Sequence, residues 1–195
     1  MKTFHELITE TTPNDRPIIW LDMDGVIVDY QKGIRELTGG YDVAEWKARA
    51  KKMTNSKGQV PIEFSSNTLH KMMTEAGARF WADLSWTSDG KRLWNSIKGH
   101  NPYILSAYRK KHGDPKEFSK KGKLAWIRKN LRIPESQIFL VYRDQKKNYA
   151  AYQGKPTILI DDYVKNIAEF KAAGGMGIRH TSAASTLRQL KGLGF

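Results

Sequence analysis

Two carboxylates stand at the end of an apolar run near the start of the chain. The run at residues 17–21 (PIIWL) is followed by Asp22, Met23, Asp24 and Gly25. A continuous apolar run of this length is typical of a strand buried in a parallel sheet. Open α/β sheets bind their ligands at the carboxyl ends of the strands. Because acidic side chains lose hydration there, the pattern predicts a site that holds a hard cation such as Mg²⁺.

Composition narrows the class of protein. The chain has 195 residues and no cysteine, which excludes disulfides, a thiol nucleophile and a cysteine-based zinc site. This length predicts one domain, or a core with a modest insertion. The histidines show no metal-ligand spacing, and we interpret them as structural or surface groups. No apolar segment approaches a signal sequence or a membrane span, so we expect a cytoplasmic protein without a membrane partner.

Positive charge is concentrated in one segment. Residues 109–132 contain ten Lys or Arg and two acids, Asp114 and Glu117, in a chain whose net charge is +13. Such a segment attracts a phosphate-bearing ligand or a nucleic acid. A solvated, highly charged surface is the other interpretation, and it is the commoner fate of charge runs. The sequence leaves both interpretations open.

The order of the remaining elements predicts the fold class. Further strands are predicted at residues 103–106, 137–142, 156–160 and 176–179, with helices at 122–131, 164–173 and 183–190. Strands that alternate with helices imply a parallel sheet with right-handed crossovers. We therefore expect an α/β fold with a three-layer, Rossmann-like parallel sheet core, formed by residues 1–29 and 98–195. Residues 30–97 lack strand runs, and we expect them to form a small helical cap inserted after the first strand.

Polar candidates recur at the later strand ends. Ser106 follows the second strand, Asp161 and Asp162 follow the fourth, and Lys123 opens the helix after the basic residues. Each has an ordinary structural interpretation: a serine as a helix N-cap, a lysine on the surface, an Asp pair in a turn. Their order along one predicted sheet edge, together with the first acidic pair, favours a common site.

The ordered set Asp-x-Asp-Gly-Val, Leu-Ser, Lys and Asp-Asp resembles the haloacid dehalogenase superfamily of phosphohydrolases, over roughly residues 17–29 and 102–180. The resemblance implies that Asp22 is the nucleophile and Asp24 the general acid and base. With an Asp at both positions, the motif resembles that of the phosphatases of the superfamily and not that of the dehalogenases.

A metal and a phosphate site accompany this chemistry. We expect Mg²⁺ to be held by Asp22, the carbonyl of Asp24, and an acid of the Asp161–Asp162 pair, whose direct ligand the sequence does not decide. We expect Ser106 and Lys123 to hold the phosphoryl oxygens.

A narrower resemblance concerns the substrate. Residues 21–29 (LDMDGVIVD) are similar to the first motif of 5′(3′)-deoxyribonucleotidases. The later segments with this similarity are residues 123–127 (KLAWI), 142–144 (YRD) and 159–162 (LIDD). This resemblance implies a nucleotide substrate, with Phe80 and Trp81 as candidate base contacts and Arg109 as a further substrate-binding candidate. The other interpretation is that the aromatic residues form the core of the helical insertion.

Three functions follow from these features. The first is a Mg²⁺-dependent phosphatase that hydrolyses (deoxy)nucleoside monophosphates through an aspartyl-phosphate intermediate. The second is a phosphatase of nucleic-acid 3′ or 5′ ends, and the third is a catalytically silent nucleic-acid-binding protein. Intact acids at positions 22, 24, 161 and 162 favour an enzyme.

Overall fold

The computed structural model describes residues 16–110, 114 and 116–195. These residues form two compact units. The first, which we call the sheet unit, comprises residues 16–28, Trp86–Ala107 and Pro134–Phe195. The second, the helical unit, comprises Asp29–Ser85 and the described part of Tyr108–Ile133.

The described elements follow the chain in a regular order. In chain order, they are β1 (Ile18–Leu21), α1 (Tyr30–Thr38), α2 (Val43–Lys52), α3 (Ser66–Ala82), α4 (Gly90–Ile97), β2 (Tyr103–Ala107), α5 (Phe118–Asn130), β3 (Ile138–Val141), β4 (Ala151–Tyr152), β5 (Lys155–Asp161), α6 (Val164–Ala172), β6 (Met176–Arg179) and α7 (Ala183–Gly192). Short 3₁₀ helices lie at Ile62–Phe64, Lys98–His100, Glu135–Gln137 and Arg143–Tyr149. None of the helices in the described ranges combines the length and the hydrophobicity that a bilayer crossing requires.

The sheet unit is built on parallel strands in the order β3-β2-β1-β5-β6, with β4 antiparallel to the start of β5. Leu21 on β1 lies opposite Ile104 on β2 and Ile160 on β5. The carboxyl ends of these three strands therefore lie at one level of the sheet. The predicted α/β fold with a Rossmann-like parallel sheet is confirmed.

Trp20 fixes the centre of this sheet. Its ring is fully buried and makes edge-to-face contacts, with ring centroids 5.1–5.3 Å apart, with four other rings: Tyr103, Phe139, Tyr149 and Tyr152. Its indole N–H also donates to the carbonyl of Tyr149 at 3.0 Å. Edge-to-face pairs of this kind add to the free energy gained by burial. The residue two positions before Asp22 is thus held rigidly.

The helical unit is held together by a close helix pair. Helix α5 packs on α3, and a Cβ on Gly122 would come within 2.5 Å of the Trp81 Cβ. The indole N–H of Trp126 donates to the carbonyl of Leu84 at 2.8 Å. Only a glycine allows the two helices to approach so closely.

The two units divide the chain differently from the expected core and cap. Helix α4, which was expected in the cap, belongs to the sheet unit, where it packs on α7. Helix α5, which was expected in the core, belongs to the helical unit, because it packs on α3. A capping role for residues 30–97 stays a prediction.

Candidate active site

A tight loop follows β1 and carries the first acidic pair. The amide of Asp22 still donates to the carbonyl of Ile160 on β5, at 3.0 Å. The chain then turns, because the carbonyl of Met23 accepts the amide protons of residues 26–28 at 2.8–3.1 Å. The side chain of Asp22 is therefore presented at the sheet edge, and Asp24 lies within the turn.

Gly25 brings this loop against the end of β5. Its φ of 74° lies in the left-handed region that favours glycine. A Cβ at this position would lie 2.6 Å from the Cγ of Asp162 and would collide with its carboxylate. The motif thus needs glycine for the turn and for the close approach of an acid.

Three carboxylates meet at this edge. Asp22, Asp161 and Asp162 each offer an oxygen that lies within 4.8 Å of the other two. Asp22 and Asp161 are buried, whereas the side chain of Asp162 is exposed. The sheet register explains the meeting, because Leu21 and Ile160, one residue earlier on each strand, are direct neighbours.

Lys146 lies between two of these acids. Its side chain is 2% exposed, and its Nζ lies 2.9 Å from Asp22 Oδ1 and 2.7 Å from Asp161 Oδ2. Burial opposes the charged form, but the carboxylates of Asp22 and Asp161 prevail and raise the pKa of Lys146 above its ordinary value. The ammonium therefore stays charged and compensates part of the buried negative charge.

The sequence analysis did not identify Lys146. It lies in the 3₁₀ helix Arg143–Tyr149, directly after the segment at residues 142–144 that carried a family resemblance. A lysine that follows a strand end by a few residues was the available signal. The sequence favours Lys123 for this role as the residue that opens a helix, but α5 begins at Phe118 and Lys123 lies inside it.

A hydrogen-bond network fixes Asp161. Its Oδ1 accepts from the amide of Tyr163 at 2.8 Å, and its Oδ2 accepts from Asn166 Nδ2 at 2.9 Å. The side-chain oxygen of Asn166 in turn accepts from Arg143 at 3.2 Å, and Arg143 pairs with Glu169 at 2.9 Å. Both oxygens of Asp161 thus have protein donors, and the more accessible carboxylate of the Asp pair is that of Asp162.

The site carries more negative charge than its lysine can compensate. Partial burial of its carboxyl group, followed by the charges of Asp22 and Asp161, raises the pKa of Asp162 to about 7, although the residue as a whole is exposed. Burial and the charge of Asp22 also raise the pKa of Asp161, against the opposing effect of Lys146. Three clustered oxygen donors with excess negative charge fit a hard divalent cation.

Ser106 and Asp24 occupy the same unit as the three acids. Ser106 is fully buried on β2, two residues beyond the Ile104 that pairs with Leu21. Its position is therefore at the same edge of the sheet as Asp22. Asp24 is half-buried, and its carboxylate is not a member of the three-acid group. Ligation through its main-chain carbonyl, as expected from the sequence, stays a prediction.

The other predicted residues lie in the helical unit. Lys123 is buried, with its Nζ 5.9 Å from the centre of the Trp81 ring. Trp81 is itself buried and packs against Phe80 at 4.9 Å. The amide of Arg109 donates to Ser119 Oγ at 3.0 Å. The packing of Trp81 agrees with a core role, and substrate contacts by these residues stay predictions.

Comparison with known proteins finds similar structures but no similar sequence. No family model matches the chain, and no curated protein matches its sequence. An L-2-haloacid dehalogenase matches with a TM-score of 0.51 and 12% identity, covering 90% of this chain and 99% of that one. A second dehalogenase matches with a TM-score of 0.52 and 11% identity, covering 86% of each chain. At these identities the likeness shows the fold alone, and the chain shares the Rossmann-like α/β fold of these two dehalogenases.

Other similar structures are those of hydrolases. One from Deinococcus radiodurans, with bound phosphate and sodium, has a TM-score of 0.49 and 13% identity, covering 84% of this chain and 80% of that one. At these identities the likeness concerns the fold. The similarities do not single out the 5′(3′)-deoxyribonucleotidases.

Proposed function

We propose that this protein is a Mg²⁺-dependent phosphomonoesterase of the haloacid dehalogenase superfamily. The observation that carries the proposal is Lys146, which is buried between Asp22 and Asp161 at the carboxyl ends of parallel strands, with Asp162 beside them. Perturbed titration in such a place favours a functional site.

Asp22 is the proposed nucleophile. One of its carboxylate oxygens attacks the phosphorus of the substrate, an acyl-phosphate bond forms, and the bond to the leaving alcohol oxygen breaks. Asp24, in its protonated form, donates a proton to that oxygen. Asp24 then takes a proton from water, the water oxygen attacks the phosphorus, and phosphate leaves with Asp22 restored.

Lys146 and Ser106 have supporting roles. The ammonium of Lys146, 2.9 Å from Asp22 Oδ1, is proposed to hold this carboxylate in place and to offset part of the negative charge of the site. The hydroxyl of Ser106, at the same sheet edge, is a proposed donor to a phosphoryl oxygen. Lys123 stays a second proposed phosphate ligand.

Mg²⁺ is the proposed metal. Asp22, the Asp161–Asp162 pair and the carbonyl of Asp24 would hold it, with Asp162 offering the more accessible oxygens. When bound, the ion neutralises charge on the phosphoryl group and polarises it toward attack.

The substrate class rests on two different features. The resemblance of residues 21–29 to deoxyribonucleotidases supports a nucleoside monophosphate. A nucleic-acid end is the second candidate, and the excess of basic over acidic residues in the helical unit favours it. Both substrates present a phosphomonoester to the same site.

Phosphate release tests the proposal. Deoxy- and ribonucleoside 5′- and 3′-monophosphates would be compared with 5′- and 3′-phosphorylated oligonucleotides, with and without Mg²⁺. We expect turnover by the wild type and by the exposed control Asp83→Asn, and none by Asp22→Asn. Turnover of oligonucleotides alone would identify the second substrate class. Release of no phosphate from any substrate would contradict the enzyme proposal and favour the silent binding protein.

A further inference from the structure

The helical unit carries most of the net charge of the chain. In the sequence, residues 29–85 and 108–133 together contain 19 Lys or Arg and 9 Asp or Glu, whereas the rest of the chain contains 14 and 11. The proposed phosphatase chemistry, which resides in the sheet unit, does not require this excess. The charge therefore needs an explanation of its own.

One face of α5 concentrates this charge. Residues Ser119, Gly122, Lys123, Trp126 and Ile127 form the buried face of the helix. The exposed basic residues are Lys121, Arg128, Lys129 and Arg132. Arg128 and Lys129 follow Lys121 at intervals of 7 and 8 residues, which places these three on one side of a helix with 3.6 residues per turn, and Arg132 comes two residues after the helix ends. We call these four residues the basic stripe.

Among the described residues, neither Asp114 nor Glu117 forms a salt bridge with Lys121 or Lys129. The carboxylate of Asp114 is buried, where it accepts from the amides of Phe118 and Ser119 at 2.9 and 2.7 Å. Among the described residues, Lys121 and Lys129 have no carboxylate within the 4.0 Å of a salt bridge. The stripe thus presents cations in a line of roughly 12 Å between these two lysines, at about 1.5 Å per residue.

The packing of α5 indicates whether the basic stripe suits an anionic membrane surface or a linear polyanion. A helix that binds a membrane surface exposes an apolar face to the lipid. The apolar face of α5 is buried, with Trp126 and Ile127 at most 1% exposed. The described part of residues 108–133 contains no exposed large hydrophobic side chain. The stripe therefore matches a ligand that supplies only charge.

Aromatic rings accompany the charges at the start of α5. Lys120 Nζ lies 5.2 Å from the centre of the Tyr108 ring, and Lys116 Nζ lies 5.8 Å from that of Phe118. Both rings are half-buried. Proteins that bind single strands combine basic tracks with aromatic rings on which bases stack. We propose that the basic stripe of α5 binds the phosphate backbone of single-stranded nucleic acid.

Fluorescence anisotropy with an unphosphorylated oligodeoxynucleotide tests this proposal without relying on the phosphatase activity. The wild type would be compared with Lys121→Glu/Lys129→Glu/Arg132→Glu and with a control triple, Lys98→Glu/Lys171→Glu/Lys191→Glu, which makes the same charge change at exposed positions of the sheet unit. Each phosphate contact adds about 0.7 to the slope of log affinity against log salt concentration. We expect the stripe variant to lose a slope of about 2 and the control to keep most of it.

Other outcomes would overturn the proposal. Equal losses in both triple variants would mean that only net charge matters, and absence of wild-type binding would identify the stripe as a solvated surface. Binding to phosphatidylserine vesicles through the stripe, without oligonucleotide binding, would identify a membrane contact. The milder Lys121→Gln/Lys129→Gln/Arg132→Gln variant guards against misfolding, and it should weaken oligonucleotide binding in the same direction.

Discussion

The carboxylate of Asp162 occupies the space that a side chain on Gly25 would need. One residue belongs to the turn after β1 and the other follows β5, so the contact ties together two segments that are far apart in sequence. The contact places the metal-binding acids of our proposal in one group with Asp22. Glycine at position 25 is therefore a requirement of the site as well as of the turn.

Replacement of Gly25 by alanine should damage both stability and activity. The left-handed φ alone costs about 1 kcal/mol, and displacing the carboxylate of Asp162, the end of an exposed side chain, should add a smaller amount. Gly154→Ala is the matched control, because its φ is 72° and a Cβ there meets nothing within 4 Å. Urea unfolding and phosphate release measure the two effects. Equal losses of stability in the two variants would show that Asp162 does not crowd position 25.

Lys146→Met should destabilise the protein strongly. The change leaves the buried carboxylates of Asp22 and Asp161 without their cation, and breaking such a pair costs about 3–5 kcal/mol. We also expect phosphate release to disappear. Lys147→Met is the control, because the adjacent side chain is exposed. Unfolding free energies of the two variants that agree within error would contradict the account.

The proposed role of Lys123 as a phosphate ligand can also be tested by substitution with methionine. If Lys123 holds a phosphoryl oxygen, Lys123→Met should raise KM for the phosphorylated substrate well beyond the effect of Lys120→Met on the same helix. If Lys123 only fills the interior of the helical unit, the variant should lower the unfolding free energy and leave KM unchanged in the folded fraction. Steady-state kinetics and urea unfolding separate the two results.

Part of the candidate site could be predicted from the sequence. The ends of β1 and β5 were predictable because apolar runs and acids are adjacent in the chain. Lys146 was not, because its role arises when a 3₁₀ helix after β3 brings one of two consecutive lysines between acids from other strands. The partner of α5 was also unpredictable, since a non-local contact at Gly122 decides it. The two residues of β4 give no strand pattern that a sequence could show.

Asn166 is expected to be a positioning residue for Asp161. It donates to Asp161 at 2.9 Å and accepts from Arg143 at 3.2 Å, so Asn166→Ala should remove one of the three donors that hold the Asp161 carboxylate. Loss of an outer partner of this kind typically lowers activity or metal affinity by about 10–100-fold. We expect a fall in kcat and a weaker Mg²⁺ dependence, with KM little changed. The exposed control Asn148→Ala should behave as the wild type, and an Asn166→Ala enzyme with wild-type kcat and Mg²⁺ dependence would refute the positioning role.

His180 should make stability depend on mildly acidic pH. Its ring is buried beside Thr186 Oγ1, at 2.9 Å, and burial lowers its pKa below the ordinary 6.5. The unfolded chain therefore binds a proton first, and the free energy of unfolding falls as pH drops below about 6.5. NMR titration should give a pKa below that value, and His180→Gln should lose less stability than the wild type between about pH 7 and pH 5. A measured pKa at or above 6.5 would contradict the buried neutral ring.

The central claim is that Asp22 forms a covalent bond to phosphorus. The most direct measurement is mass spectrometry of protein that has been mixed with Mg²⁺ and a phosphomonoester that the wild type hydrolyses, and then quenched with acid. The account predicts a phosphoryl group on the wild-type peptide that contains Asp22 and no phosphoryl group on the same peptide of Asp22→Asn. With a substrate that has an activated leaving group, the phosphorylated form should accumulate in Asp24→Asn, because the second step then lacks its base. Phosphate release by the wild type without any labelled Asp22, or labelling of another residue in Asp22→Asn, would contradict it.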